Sequence, residues 1–439
     1  MAQACNKLQR PEPLRILTLD SGGLQAISTL LILNKVLEAV AQQNGEPHKK
    51  PRPCDVFDTI AGIGTGGWLA ILLGRFRMDI TTCLAEWYKL MLHIVPKSKP
   101  QEMRLRILKH SYIDTELLVE HIDLLTKMYN TGDQLFEDEP DGARTHHVFV
   151  AALDAEAKGY KIFRNYETGA ARRPWELLEG PKDPENFTIS RAFRVTGAAK
   201  YFTPPCKEHM ASSGTRILRD ENFPCPHAIT ELALHEMWAC YGGHVPMSMV
   251  LNIGPGLSSE VDVTKIACRF PWGLNLSTAQ RKTSSQDKTN PTEPRTSESP
   301  RPDHDSLCAN PEITHGDAVI ANDETTAEEK MLSFISAADE LRQTIAHMHE
   351  TGVKARFEEL EGKMERHIKA KIMVNYQDQQ ADIYHRLAPT RAPEGTSQND
   401  SRAPGVALAC TLQFLELPQT ATTINTIARR LSEKADPTQ

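Results

Sequence analysis

The sequence predicts a layered α/β fold, and three observations predict it. A β-prone run closed by glycines and followed by helical periodicity occurs twice near the N-terminus, at Leu14–Val40 and again at Phe57–Arg75. Two further apolar runs of strand length follow, Val148–Ala152 and Met249–Ile253. The second of these again ends on glycines, Gly254-Pro-Gly256. Strands that alternate with helices through glycine turns are the signature of a sheet with helices packed against it.

Each element has a local reason. Leu14-Arg-Ile-Leu-Thr-Leu19 is rich in branched apolar residues, and Asp20-Ser-Gly-Gly23 breaks it. Leu24, Ile27, Leu30, Leu31, Leu33, Val36, Leu37 and Val40 then recur at helical spacing. The second strand, Phe57–Ala61, meets Gly62-Ile-Gly-Thr-Gly-Gly67 before a helix from Trp68 to Arg75. Together these elements predict one α/β domain over residues 12–275. From 277 to 311 the chain is Ser, Thr, Pro, Asn, Lys and Asp with little to bury, the composition of a flexible loop or linker. Residues 312–388 return to helical periodicity, with Met331, Phe334, Met364, Ile368 and Ile372 among the candidate buried positions. Such a segment completes or covers the domain. Residues 389–439 read as a polar, Pro-rich loop and a closing helix from Thr420 to Lys434.

Composition narrows the function. The 439 residues carry 50 Lys+Arg against 57 Asp+Glu, a net charge of −7, which disfavours broad nucleic-acid binding. The apolar run Trp68–Leu73 is far short of the roughly 18 residues a membrane span needs. The first ten residues lack the apolar core of a secretory signal. Nine Cys with no C-x-x-C spacing fit free thiols, so the expected location is cytoplasmic. His146-His147 and His347-x-His349 lack a full ligand set and read as surface histidines; no metal or cofactor is expected. Arg75, Arg77 and Lys89 read as solvated helix-face cations, and Trp87, Tyr88 and Leu90 as core.

The turn Gly62-Ile-Gly-Thr-Gly66 has the G-x-S-x-G shape of a nucleophile elbow with Gly64 in the place of Ser. Leu19-Asp-Ser-Gly-Gly-Leu-Gln-Ala26 has the shape of a D-G-G-G-x-R-G loop. Ala192-Phe-Arg-Val-Thr-Gly-Ala-Ala199 with Tyr201-Phe202 and Pro204 follows an A-x-R-A-T-S-A-A-P-x-Y-F-x-P pattern. Leu218-Arg-Asp-Glu-Asn222 stands at a D-G-G block, and Asn252-Ile-Gly-Pro-Gly256 at S-I-G-T-G. These blocks, in this order, resemble the patatin-like phospholipases, the fungal type most closely. Tyr384-His-Arg-Leu387 is similar to a strand that ends those proteins. The resemblance implies a three-layer sheet with flanking helices and a C-terminal helical layer. It also implies acyl-ester hydrolysis by a Ser–Asp dyad, with amides of the glycine loop holding the oxyanion.

The departures alter that chemistry. Gly64 offers no nucleophile, so acyl transfer through a covalent intermediate has no group to start from at the elbow. Asp220 matches the dyad Asp, but Glu221 and Asn222 replace its glycines. Gln25 stands where the loop carries a cation, Ser21 at its first glycine, and Gly197 where the family has Ser. Gly22 and Gly23 keep amides that can aim into a pocket, and Gly64 and Thr65 would line it. Ser21 reads as a turn hydroxyl, Thr65 as a helix-start residue and Cys54 as a small buried hydrophobe. Of the three, Ser21 comes nearest to a replacement nucleophile.

Three functional readings follow. In the first, the pocket binds an apolar metabolite (terpenoid, polyketide or lipid-like) and promotes a non-hydrolytic intramolecular reaction such as a cyclisation or cycloaddition in secondary metabolism. Asp220, Gln25 and Ser21 are then the catalytic candidates, and Gly22, Gly23, Gly64 and Thr65 the substrate-binding ones. In the second, the domain is an inactive lipid-binding or regulatory pseudoenzyme. In the third, it remains an acyl-ester hydrolase. The expected partner is an apolar small molecule, with peripheral membrane contact compatible and nucleic acid excluded.

Overall fold

The computed structural model describes residues 12–136, 144–145, 147–156, 159–167, 178–199, 202–219, 228–242, 245–256, 268–269, 275–276, 353–375, 383–389 and 403–433. Strand β1 (Leu14–Leu19) leads through a 3₁₀ turn (Gly23–Ala26) into α1 (Ile27–Gln43). A four-residue α2 (Pro53–Val56) precedes β2 (Thr59–Ile63) and α3 (Thr65–Ala70), which widens to a π turn over Ile71–Arg75. Then come α4 (Ile80–Ile94), α5 (Lys99–Lys109), α6 (Thr115–Tyr129), β3 (His147–Asp154) and β4 (Tyr160–Arg164). They are followed by α7 (Ile189–Thr196), β5 (Cys206–Met210), β6 (Gly214–Arg219), α8 (Ala228–Tyr241) and β7 (Met247–Ile253). A two-residue pair, β8 (Cys268–Arg269) and β9 (Asn275–Leu276), comes next in the chain. The last elements are α9 (Val353–Asn375), β10 (Tyr384–Leu387), α10 (Ala403–Glu416) and α11 (Pro418–Ser432).

Eight strands form one sheet in the order β10-β7-β1-β2-β3-β6-β5, with β4 beside β3. The strands β10, β7, β1, β2 and β3 run parallel, β4 and β6 each pair antiparallel with β3, and β5 pairs antiparallel with β6. Alternation along each strand divides the core between two faces. Leu17, Leu19, Ile60, Val150, Met249 and Leu251 face one side, with α1, α3, α4, α6, α7 and α11. Leu14, Ile16, Ala61, Phe149, Ala151 and Val250 face the other, with α8 and with Met364, Ile368 and Ile372 of α9. Central strands covered on both faces explain why β1 and β2 read as continuous apolar runs.

The helix starts divide into two kinds. Asp79, Ser98, Asp114 and Thr188 cap α4, α5, α6 and α7, each accepting a hydrogen bond from a first-turn amide. Such a cap contributes about 1 kcal/mol. The 3₁₀ turn after β1 and helix α3 after β2 begin at Gly22 and Gly64 with no side-chain cap. The first amides of those two elements are left to other partners.

Several expectations change. The second strand begins at Thr59 rather than Phe57, because Pro53–Val56 forms a helical turn first. Arg75 is buried and donates to the carbonyls of Leu135, Thr131 and Gln134, so it ties down a loop and does not solvate a helix face. Tyr88 is 62% exposed, while Trp87 and Leu90 are core. His147 is buried edge-on against Tyr166 and Tyr241, not at the surface. Ala403 and Pro404, assigned to a polar loop, open α10. The segment 277–311, His146, His347, His349, Met331 and Phe334 lie outside the described residues. Among the described residues, Gly23–Gln43 is the one helix long and apolar enough to cross a membrane, and 72% of its apolar window is buried in the protein.

Candidate functional site

Parallel pairing of β1 with β2, Leu19 opposite Gly62, brings the two glycine turns side by side at one end of the sheet. The contact between them is backbone on backbone. A Cβ on Gly66 would stand 2.3 Å from the Leu19 carbonyl oxygen and 2.5 Å from that of Asp20, so no larger residue fits. A Cβ on Gly62 would stand 2.2 Å from the Gly66 carbonyl oxygen. Between them Gly64 takes φ 59°, ψ −133°, where any side chain adds about 1–3 kcal/mol of strain. The sharp elbow backbone is therefore present, with no hydroxyl on it.

The first turn is held by polar contacts. Asp20, buried at the end of β1, accepts from Asn252 Nδ2 of β7 at 3.1 Å and from Arg386 Nη1 of β10. Arg386 also donates to Asn252 Oδ1 and, through Nε, to Glu361 of α9 at 2.7 Å. Burial works against the guanidinium charge, but Asp20 and Glu361 outweigh it and raise its pKa. A Cβ on Gly22 would stand 2.1 Å from Pro255 Cγ, so the loop also packs against the end of β7.

The Gly22 amide donates to Thr65 Oγ1 at 3.0 Å. This corrects the expectation that both loop amides are open: Gly22 is engaged by the residue following the elbow. Gly23 heads the 3₁₀ turn at φ 54°, and the first amide of such a turn has no acceptor within it. Ser21, Gly22, Gly23, Gly64, Thr65 and Gln25 are all buried and brought together by the two turns. Gln25 N donates back to the Gly22 carbonyl at 3.0 Å. Asp220, with Glu221 and Asn222, lies outside the described residues. Cys54 is buried and its thiol is pushed up to about 11 by burial, which keeps it an unreactive thiol at neutral pH.

Gly197 has a packing cause. A Cβ there would stand 2.6 Å from the Trp68 ring, which packs against Phe193 at 5.8 Å, Phe202 at 5.9 Å and Trp87 at 6.2 Å. Trp68 Nε1 donates to the Phe193 carbonyl at 2.7 Å. The indole occupies the space that a side chain at 197 would need.

Sequence reasoning missed the Arg386–Asp20 pair and the Thr65–Gly22 contact. A signal for the first was available. Asp20 ends a strand buried on both faces and needs a cation, and Arg386 is the cation within the short run Tyr384–Leu387. Among the described residues, no group of three or more His, Cys, Asp or Glu is placed to hold a metal.

Residues 17–208 match the family described as patatin-like phospholipase. "Patatin-like phospholipase 1" of Plasmodium falciparum is 26% identical over 157 residues, 35% of this chain and 21% of that protein. The "85/88 kDa calcium-independent phospholipase A2" of Rattus norvegicus is 25% identical over 273 residues, 59% of this chain and 30% of its own. The chain thus spans less than a third of either relative's length. VipD from Legionella pneumophila, a crystal structure, has a TM-score of 0.29 and 11% identity over 92% of this chain and 67% of its own, a likeness too slight to weigh. The span 17–208 that matches the patatin-like phospholipase family carries both the glycine loop after β1 and the glycine elbow after β2.

Proposed function

We propose that this domain binds an apolar, carbonyl-bearing metabolite, terpenoid, polyketide or lipid-like, and promotes a non-hydrolytic intramolecular reaction of it such as a cyclisation. The carrying observation is Gly64, a side-chain-free residue in an otherwise intact elbow at φ 59°. Acyl-enzyme chemistry lacks its nucleophile there, while the turn that would present one is preserved by packing. Ring closure needs no nucleophile from the protein. It gains from a cavity that brings two ends of one molecule together and from a donor on the carbonyl that is polarised. The Gly23 amide, Gln25 and Asp220 are the groups assigned to that task, with Ser21 beside them.

A second reading, ligand binding without turnover, draws on the Gly22 amide: its hydrogen bond to Thr65 Oγ1 removes one donor from the pocket. Residual ester hydrolysis draws on the phospholipase names of the relatives and would need Ser21 as nucleophile. One experiment separates the readings. Wild type, Gly64→Ser and Ser21→Ala are assayed on p-nitrophenyl esters and phospholipid vesicles, and wild type is also incubated with linear polyprenyl and polyketide aldehydes under mass-spectrometric detection. The expected result is inert wild type on esters, hydrolysis gained by Gly64→Ser, and an isomer of unchanged mass from one aldehyde. Binding with no new isomer favours the second reading. Ester hydrolysis by wild type that Ser21→Ala abolishes overturns the proposal.

A further inference from the structure

Gln25 and Thr29 stand four residues apart on the continuous helix from Gly23 to Gln43. Gln25 lies in its opening 3₁₀ turn and Thr29 in the first turn of α1, a spacing that keeps both near one face. Gln25 is 1% exposed and Thr29 0%. Gln25 Nε2 and Thr29 Oγ1 are both shut off from solvent without a hydrogen-bond partner among the described residues. Neighbouring hydroxyls are treated differently by the fold. Ser28 Oγ accepts from Thr411 Oγ1 at 2.8 Å, Thr65 Oγ1 accepts from Gly22, and Thr196 Oγ1 donates to the Ala151 carbonyl at 2.8 Å. Native interiors leave few polar atoms unpaired, because each gives up its hydration for nothing in return. Two such atoms four residues apart, in the element that follows the glycine loop, ask for an external partner.

Resting on the ligand reading above, we infer that Gln25 and Thr29 are the polar end of the ligand site and receive one neutral oxygen of the ligand, a carbonyl or a hydroxyl. The chemistry matches. Gln25 Nε2 only donates, and the Thr29 hydroxyl donates or accepts. A carbonyl oxygen with two lone pairs takes both donors, and a hydroxyl accepts from Gln25 while donating to Thr29. An anionic head group is disfavoured, since neither side chain carries a compensating charge and burying an unpaired charge is costly. Arg386, the cation at the glycine loop, is committed to Asp20 and Glu361. The inferred ligand is thus an apolar body ending in an uncharged oxygen.

The test measures displacement of the dye 1-anilinonaphthalene-8-sulfonate by farnesol and by the hydrocarbon farnesene, on wild type and on the Gln25→Leu/Thr29→Val double variant. Farnesol should lose roughly tenfold or more in apparent affinity, about the worth of one or two hydrogen bonds, while farnesene is unchanged. The Tm should not fall, since the replacements are close in shape and remove unpaired atoms. Equal affinities of both compounds for both proteins overturn this inference and leave the ligand reading standing. Failure of both compounds to bind wild type overturns the ligand reading itself, and this inference with it. A lowered Tm with unchanged affinities assigns the pair to internal structure and overturns the inference. Should the double variant not fold, Thr29→Val alone makes the comparison, with roughly a threefold loss for farnesol expected.

Discussion

At the end of β1 the chain turns through Gly22 and Gly23, and at the end of β2 it turns through Gly64. The second turn is fixed by shape. Backbone oxygens lie where Cβ atoms on Gly62 and Gly66 would go. The first turn is fixed by charge, through Asp20, Asn252, Arg386 and Glu361, from strands and a helix far along the chain. The difference explains how the turn at Gly64 keeps its shape with no side chain on it. The neighbouring glycines that hold Gly64 in place make no use of a side chain on it, and glycine takes its positive φ without strain.

The comparison can be broken from either side. Gly66→Ala should have the largest effect, because the new methyl meets two backbone oxygens of the neighbouring turn. A loss above about 4 kcal/mol, or no folded protein, is expected from urea denaturation followed by circular dichroism. A change below 1 kcal/mol would show that the turns slide apart easily and that shape does not fix the elbow. Arg386→Gln attacks the other turn. Removing one member of a buried ion pair leaves Asp20 uncompensated, and about 3 kcal/mol should be lost in the same assay. Added salt should restore little of it, since Asp20 is buried. Stability equal to wild type would deny charge the role assigned to it.

The smallest effect is expected on α6, outside both turns. His121 is held below its ordinary pKa by burial and then by His93, whose ring lies 5.7 Å away. The folded protein therefore binds a proton there less readily than the unfolded chain. The resulting stability is complete above about pH 6.5 and is lost as pH falls through the lowered value. His121→Gln should flatten the acid limb of a Tm-against-pH curve slightly, by less than about 1 kcal/mol once solvent screening is counted. An unchanged limb would place the acid sensitivity elsewhere.

Much of this was legible in the sequence. The strand–glycine–helix units at Leu14 and Thr59 carry their own punctuation, and β7 announces its end with Gly254 and Gly256. Met364, Ile368 and Ile372, picked out by helical spacing, are buried positions of α9. The antiparallel strands β5 and β6 were not legible, since Cys206-Lys-Glu-His-Met210 alternates around charged residues and carries little apolar signal. In the site, the absence of a side chain at Gly64 is a fact of sequence, but the occupation of the Gly22 amide by Thr65 is a fact of distance. The cause of Gly197 was hidden likewise, because Trp68 approaches it from 129 residues away and only the fold brings the indole there.

The Asp20–Arg386 pair joins residues 366 positions apart. A ribosome adding about 5–20 residues per second needs roughly 20–70 s to travel that far. For that interval β1 and β2 can associate, and β7 can join them later, but the carboxylate at the end of β1 has no counter-charge and must stay hydrated. The glycine loop can therefore close only when β10 arrives on the far side of β7. Long-range contacts of this kind are slow to form, so the loop completes its structure as one of the last events of folding, well after the elbow beside it has the means to form.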